Sequence, residues 1–320
     1  MVTRKPLINT NNEYKISPFQ LPWKVNILVD FSYYYNKAYF VSSQRETKEE
    51  QEKCLFGILY RTIEFFEKAI DTDKIYIVLD GKEIENKQLF EDYKQNRKKD
   101  NDKVYYNHDK AVALLSEFPK VVILRNQKKE ADEVIGYIAL KLKDKKDTLT
   151  VIFSGDKDLL QLTSIHNVRV GSEIKNKKVH LLSDTEIFSK FCNSKKEDFT
   201  RVSNKKADII KYRVFKGDTS DNIPPAIPRL RDMDIIKIVR AWKYDITDEN
   251  EWLNLAIELD DLWFKVKEYK EQIIRNYKLM CLTYLPRYDN MKQDLKVLFK
   301  DKHADKLVRM RKELKESLNV

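Results

Sequence analysis

Residues 25–30, VNILVD, are an apolar run of β-forming residues that ends on an acid, and KIYIVLD, residues 74–80, repeats the arrangement. Two further apolar runs are each followed by acids. VVIL at 121–124 leads into Glu130, Asp132 and Glu133, and LTVIF at 149–153 leads into Asp156 and Asp158. Runs of this length, separated by helical periodicity, read as buried strands of a mostly parallel α/β sheet. Between the first two runs, Leu55, Ile58, Leu59, Ile63, Phe66 and Ile70 recur at helical spacing behind a Thr47/Glu50 capping box. In an open parallel sheet the carboxyl ends of the strands face one crevice. Acids from separate segments would meet there, joined by Asp218 and Asp221 of KGDTSDN, residues 216–222.

Carboxylates crowded in one pocket raise one another's pKa unless cations intervene. All-oxygen donor sets suit hard divalent ions such as Mg²⁺ or Mn²⁺. The expected chemistry is therefore metal-assisted hydrolysis of a phosphodiester. Each acid also has a plainer reading. Asp30 and Asp80 at strand ends serve equally as helix caps or turn formers. The acids of KEADEV, residues 129–134, suit the first turn of a helix. Glu130 and Asp132 are expected to face the crevice, with Glu133 outside it. In SGDKD, residues 154–158, Gly155 is expected to let the chain turn sharply, so that Asp156 and Asp158 face the pocket together. Asp218 and Asp221 are expected on one face of a helical turn.

The chain has 320 residues, 42% apolar and 35% charged, with a formal net charge of +10. That balance allows a sizeable core, and beyond solubility it favours a polyanionic partner. The three cysteines are dispersed, which fits a reducing compartment without disulfides. The four histidines lack zinc-ligand spacing. Neither a signal-peptide core nor a membrane-length apolar run is evident, so the chain is expected to be cytoplasmic, with no membrane partner.

Three regions are expected: an N-terminal arm at 1–24, a catalytic α/β domain at 25–182, and a helical region at 183–320 closing in a basic helix at 303–318. A long charged segment at 82–118 interrupts the βα alternation. Within it, FEDYKQNRKKD, residues 90–100, places Tyr93 beside Lys94, Arg97 and Lys98. A charge run is usually a solvated helix face. A tyrosine that stacks on a base and cations that hold a phosphate would instead contact a single strand.

Taken in order, LVDFS, VLDG, DYKQNR, KEADE, SGDKDLLQL and KGDTSDNI resemble the motif series of the 5′-nuclease superfamily of flap endonucleases and 5′–3′ exonucleases. The nearest likeness is to the branch holding the ribonuclease H of T-even phages. The resemblance is strongest over 25–223, weaker to about 288, where NYKLMCLTYLP still fits, and absent from the arm. It implies an α/β sheet with a helical arch at about 82–118, and a helical C-terminal part with a helix–turn–helix. It also implies two Mg²⁺ ions, replaceable by Mn²⁺. Asp30, Asp80, Glu130, Asp132 and Asp156 match the acids around the first ion. Asp156, Asp158, Asp218 and Asp221 match those around the second. Tyr93, Lys94 and Arg97 match the arch, where Lys94 and Arg97 would offset charge on the phosphoryl oxygens.

The implied substrates are RNA primers on DNA, 5′ flaps and nicked duplexes, in replication or repair. By analogy the implied partners are a sliding clamp and a single-strand DNA-binding protein, with the enzyme a monomer in the cytoplasm (the host's, for a phage-encoded chain). Two departures stand out. Glu133 replaces the second aspartate that many relatives carry after the EAD. The turn IPPAIPRLRD, residues 223–232, lacks the family's glycines, so the duplex grip is expected to use Arg229, Arg231 and Lys237. Two other classes share part of the pattern: a PIN-type ribonuclease, which needs neither arch nor GDxxDN, and a non-enzymatic binder of branched DNA, which would tolerate loss of the acids.

Overall fold

A computed structural model describes residues 24–298 apart from 69, 71, 98–106, 176–177, 193–204 and 244. The proposed arm, the basic helix at 303–318 and Lys98 lie outside the described residues.

Strand β1 (Lys24–Asp30) leads directly into α1 (Phe31–Ser42), and α2 (Lys48–Lys68) follows. Thr47 and Glu50 exchange backbone-to-side-chain hydrogen bonds at 3.2 Å, the capping box expected from sequence. Next come β2 (Lys74–Leu79), α3 (Ile84–Leu89), α4 (His108–Leu115), β3 (Val121–Asn126), α5 (Ala131–Leu142) and β4 (Thr148–Phe153). The hairpin β5 (Val168–Lys175) and β6 (Lys178–Leu181) precedes a helical stretch. It runs through α6 (Asp184–Cys192), α7 (Asp208–Lys216), α8 (Asp232–Ala241), α9 (Glu249–Glu258), α10 (Trp263–Glu268), α11 (Lys270–Met280) and α12 (Met291–Asp294). Last, β7 (Leu295–Leu298) returns to the sheet, antiparallel to β3.

The sheet order is β6-β5-β4-β1-β2-β3-β7, and the five inner strands are parallel. The order reverses between β1 and β4, so the crevice for ligands opens beyond the carboxyl ends of those strands. Successive side chains along each strand point to opposite faces. Val25, Ile27 and Val29 of β1, with Ile75, Ile77 and Leu79 of β2, pack under α1, α2 and α4. Leu28, Val78 and Ile152 face the other layer, with Val134, Ile135 and Ile138 of α5 and the C-terminal helices. The runs are apolar throughout because both faces are covered.

The segment read as an arch at 82–118 is corrected at its far end. Ala111, Val112, Leu114 and Leu115 of α4 are buried beneath the sheet. Apolar burial on that scale makes α4 a core helix, so the part free to act as an arch ends before it.

Candidate functional site

Asp30 ends β1 and caps α1, accepting from the Tyr33 N–H at 3.2 Å, while its second oxygen accepts from the Ser154 hydroxyl at 2.8 Å. Cap and pocket acid are therefore one residue. Burial, then the nearby Asp80, pushes its carboxyl up to about 6. Asp80, just past β2, accepts from Ser32 at 2.5 Å and from the Ala131 N–H at 2.8 Å. It thereby ties the end of β2 to the first turn of α5.

Glu130 is the N-cap residue of α5. It takes hydrogen bonds from Tyr93 Oη at 2.7 Å and Asn86 Nδ2 at 3.1 Å, and pairs with Lys94. Asp132 follows in the first turn, its carboxyl held well above the ordinary range by burial and then by Glu130 and Glu133. Carboxylate oxygens of Glu130, Asp132 and Glu133 lie within 4.8 Å of one another.

Glu133 does not sit outside, as expected, but is 2% exposed. One oxygen accepts the Glu130 N–H at 3.0 Å and the other accepts from Arg287 Nε at 2.8 Å. Burial alone would raise its carboxyl, but Arg287 and Lys129 hold it below the ordinary value.

Ser154 and Gly155 carry the chain from β4 to Asp156. The expectation of a sharp glycine turn is corrected. Gly155 has no left-handed backbone; a Cβ there would lie 2.4 Å from the Tyr33 ring, so the glycine admits that ring. Asp156 opens toward solvent while walled by other acids. Burial raises its carboxyl, Arg213 pulls it down, and Asp221 pushes it up again.

Asp218 and Asp221 part company rather than sharing one helical face. Asp218 caps the short turn Thr219–Asp221 and accepts from the Ser220 N–H at 2.8 Å. It pairs with Arg213, whose guanidinium also pairs with Asp158. Burial opposes the charge on Asp218, yet Ser220 and Arg213 hold its carboxyl below the usual range. Asp221 turns the other way. It pairs with Arg97, lies 3.8 Å from Lys94 Nζ, and accepts from Tyr93 Oη at 3.2 Å. The turn is anchored by Asn276, fully buried in α11, whose amide donates to the carbonyls of Val214 at 3.1 Å and Pro224 at 2.9 Å.

Tyr93 is therefore corrected as a base-stacking platform. Its ring is 3% exposed, and its hydroxyl points at Glu130 and Asp221. Lys94 stands in left-handed backbone, φ 56°, and its side chain is 9% exposed. Burial works against its charge, but Glu130 and Asp221 raise its pKa. Arg97 keeps 54% of its side chain open to solvent. Asn96, Arg97 and Asn222 bond across to backbone carbonyls, latching 92–97 onto 219–222.

Arg229, Arg231 and Lys237 all lie exposed at or after the proline-rich turn. Left-handed backbone in this region falls to Asn222 and Arg229, φ 60° and 56°. Arg231 forms a two-point pair with Asp234 at 2.8 and 3.0 Å.

The eight predicted acids thus converge at one end of the sheet. Sequence reading missed Ser32, Ser154, Asn86, Arg213 and Arg287. Ser32 and Ser154 stand inside the LVDFS and SGDKD motifs, whereas Asn86, Arg213 and Arg287 belong to no short spacing pattern, although Arg213 stands five residues before Asp218. The donor set is all oxygen, and four of its carboxyls, those of Asp30, Glu130, Asp132 and Asp156, are held above their ordinary range by burial and by neighbouring acids. Divalent cations relieve that strain, so the residues fit a metal centre.

The family model for the 5′-3′ exonuclease N-terminal, resolvase-like domain matches residues 25–192. The chain belongs to that family, within the 5′-nuclease superfamily of phosphodiesterases. A 5′-3′ exonuclease of Buchnera aphidicola is 29% identical over 206 residues, 64% of this chain and 66% of that protein. The T5 5′-exonuclease with bound zinc superposes with a TM-score of 0.56 at 16% identity, covering 92% of this chain and all of that one. The bacteriophage T5 flap endonuclease, as a pseudo-enzyme-product complex with DNA and metal ions, gives 0.55 at 16% identity, over 93% of this chain and all of that one. These structures share the fold. Among the described residues no helix is long and apolar enough to cross a membrane.

Proposed function

We propose that this protein is a divalent-metal-dependent, structure-specific 5′-nuclease that acts as 5′–3′ exonuclease and flap endonuclease. The observation that carries the reading is the meeting of acids from four strand ends with the GDTSDN acids, beneath Lys94 and Arg97. Asp30, Asp80, Glu130, Asp132 and Asp156 would hold one Mg²⁺ or Mn²⁺ ion. Asp156, Asp158, Asp218 and Asp221 would hold the other, some through water. Such ions supply an activated water and offset charge on the leaving oxygen.

The remaining work belongs to side chains. Asp80 and Asp30, held by Ser32, Ala131, Tyr33 and Ser154, keep the acid group in place before substrate arrives. Tyr93 presents its hydroxyl to two acids and so aligns Glu130 with Asp221. Lys94 and Arg97 pair with Glu130 and Asp221, and would turn to the phosphoryl oxygens when a strand enters. The exposed Arg229, Arg231 and Lys237, around α7, the proline-rich turn and α8, serve as the duplex grip in this reading. Binding should then weaken steeply with salt.

RNA primers on DNA, 5′ flaps and nicked duplexes are the proposed substrates. The division into arm, catalytic domain and helical DNA-binding region is proposed with it. So are action as a monomer in the cytoplasm and docking of a sliding clamp or single-strand DNA-binding protein. Metal-dependent release of short 5′ products from a 5′-labelled flap, lost in EDTA, tests the activity. Cleavage confined to ribose-containing strands would favour a ribonuclease instead. Tight branched-DNA binding without turnover in Mg²⁺ or Mn²⁺ would favour a scaffold.

A further inference from the structure

Arg287 lies on the short turn Leu285–Tyr288 that follows α11, and its side chain is 5% exposed. Its ordinary partners are the carbonyls of Leu279 at 2.8 Å and Cys281 at 3.1 Å. Two further contacts both lead to Glu130. On one route, Arg287 Nε donates to Glu133, whose other oxygen accepts the Glu130 backbone N–H at 3.0 Å. On the other, Arg287 Nη2 donates to Asn86 Oδ1 at 3.0 Å, and Asn86 Nδ2 donates to the Glu130 carboxylate at 3.1 Å. Asn86 and Glu133 are themselves 3% and 2% exposed, so neither route is shared with bulk water.

The direction of the second route follows from chemistry. A guanidinium only donates, so the amide of Asn86 must turn its oxygen to Arg287 and its NH₂ to Glu130. A planar guanidinium also holds its donors at fixed angles. The backbone and the carboxylate of Glu130 are therefore referred to one rigid group. The ring joins three separate parts of the chain: α3, the start of α5, and the segment after α11.

We propose that Arg287 is a positioning residue for Glu130, acting through Glu133 on its backbone and through Asn86 on its carboxylate. The glutamate at 133 suits this role: it spans from the Glu130 N–H to Arg287, and both its oxygens are committed. The inference rests on the reading of Glu130 as a metal ligand. Residues that orient a ligand typically change metal affinity by about 10–100-fold.

Equilibrium Mn²⁺ binding to the full chain, measured by calorimetry alongside thermal unfolding in EDTA, tests it. Asn86→Ala should weaken Mn²⁺ binding about tenfold. Cleavage by that variant should recover at high Mn²⁺ with KM for DNA unchanged. Arg287→Lys, which keeps the charge but not the fork, should weaken binding in the same direction. Combined with Asn86→Ala it should add less than its separate effect. Arg287→Met removes both routes, and its folding is checked by unfolding before binding is scored. Wild-type affinity in both Asn86→Ala and Arg287→Lys, with Glu130→Gln impaired, overturns the positioning role and leaves the proposed function standing. A wild-type chain that binds no Mn²⁺ overturns both.

Discussion

The two groups of acids are neutralised in different ways. Around Asp30, Asp80 and Asp132 the partners are hydroxyls, backbone N–H groups and one another, and two of the three carboxyls are pushed up. Around Asp158, Asp218 and Asp221 the partners are guanidinium groups, Arg213 and Arg97. Under the proposed metal-dependent reading, the first group is the one whose charge a divalent ion would offset. The second carries cations of its own, which an incoming ion must displace or share. The contrast teaches that one acidic crevice can offer a cation two unlike settings, with the difference written in neighbouring basic side chains.

The largest expected effect attacks the group without arginines. Asp132→Asn, or Asp156→Asn at the boundary, should abolish flap cleavage, while DNA affinity stays within about tenfold because it rests on Lys and Arg. Unchanged cleavage in gel assays would remove the metal assignment. Arg213→Gln probes the other group. It leaves Asp158 and Asp218 unpaired and should destabilise the protein in EDTA by about 3 kcal/mol. Added Mn²⁺ should then raise Tm more than in wild type. An equal Mn²⁺ response in both proteins would show that Arg213 does not compete for the site.

Lys94→Ala tests the cation that links Glu130 to Asp221. It should lower kcat roughly 100-fold, and single-turnover rates at saturating DNA measure it. The smallest effect concerns Asp30, whose carboxyl is lifted to about 6. Because that value lies above the ordinary one, the folded state keeps a proton that the unfolded state has lost. The metal-free protein should therefore lose stability as pH rises from about 4 to about 6. Asp30→Asn should flatten that slope and add about 1 kcal/mol at pH 7, once partial exposure is discounted. Unfolding curves across pH in EDTA check the sign.

Much of this was legible in the chain. The parallel strands were readable because β1, β2, β3 and β4 are buried on both faces and so are written in continuous apolar residues. Their terminal acids were readable because strand ends are local signals. The capping box at Thr47 and Glu50 spans only three residues. Tyr93 was misjudged because a tyrosine next to lysines looks exposed, whereas its hydroxyl is held by residues 37 and 128 positions away. Glu133 was misplaced for the same reason: its partner Arg287 lies 154 positions on. The core role of α4 was hidden inside a charged stretch, because its five buried apolar residues are too few to dominate the composition of 82–118.

By itself the amino-acid sequence determined the α/β class, the order of the acids and the chemistry they share. Those depend on hydrophobic periodicity and side-chain type, which act over a few residues. Only the tertiary structure decided which acids face a guanidinium and which face one another, and that Arg287 reaches Glu130 by two routes. Charge pairing is a matter of ångströms between groups far apart in the chain, and no local pattern records those distances.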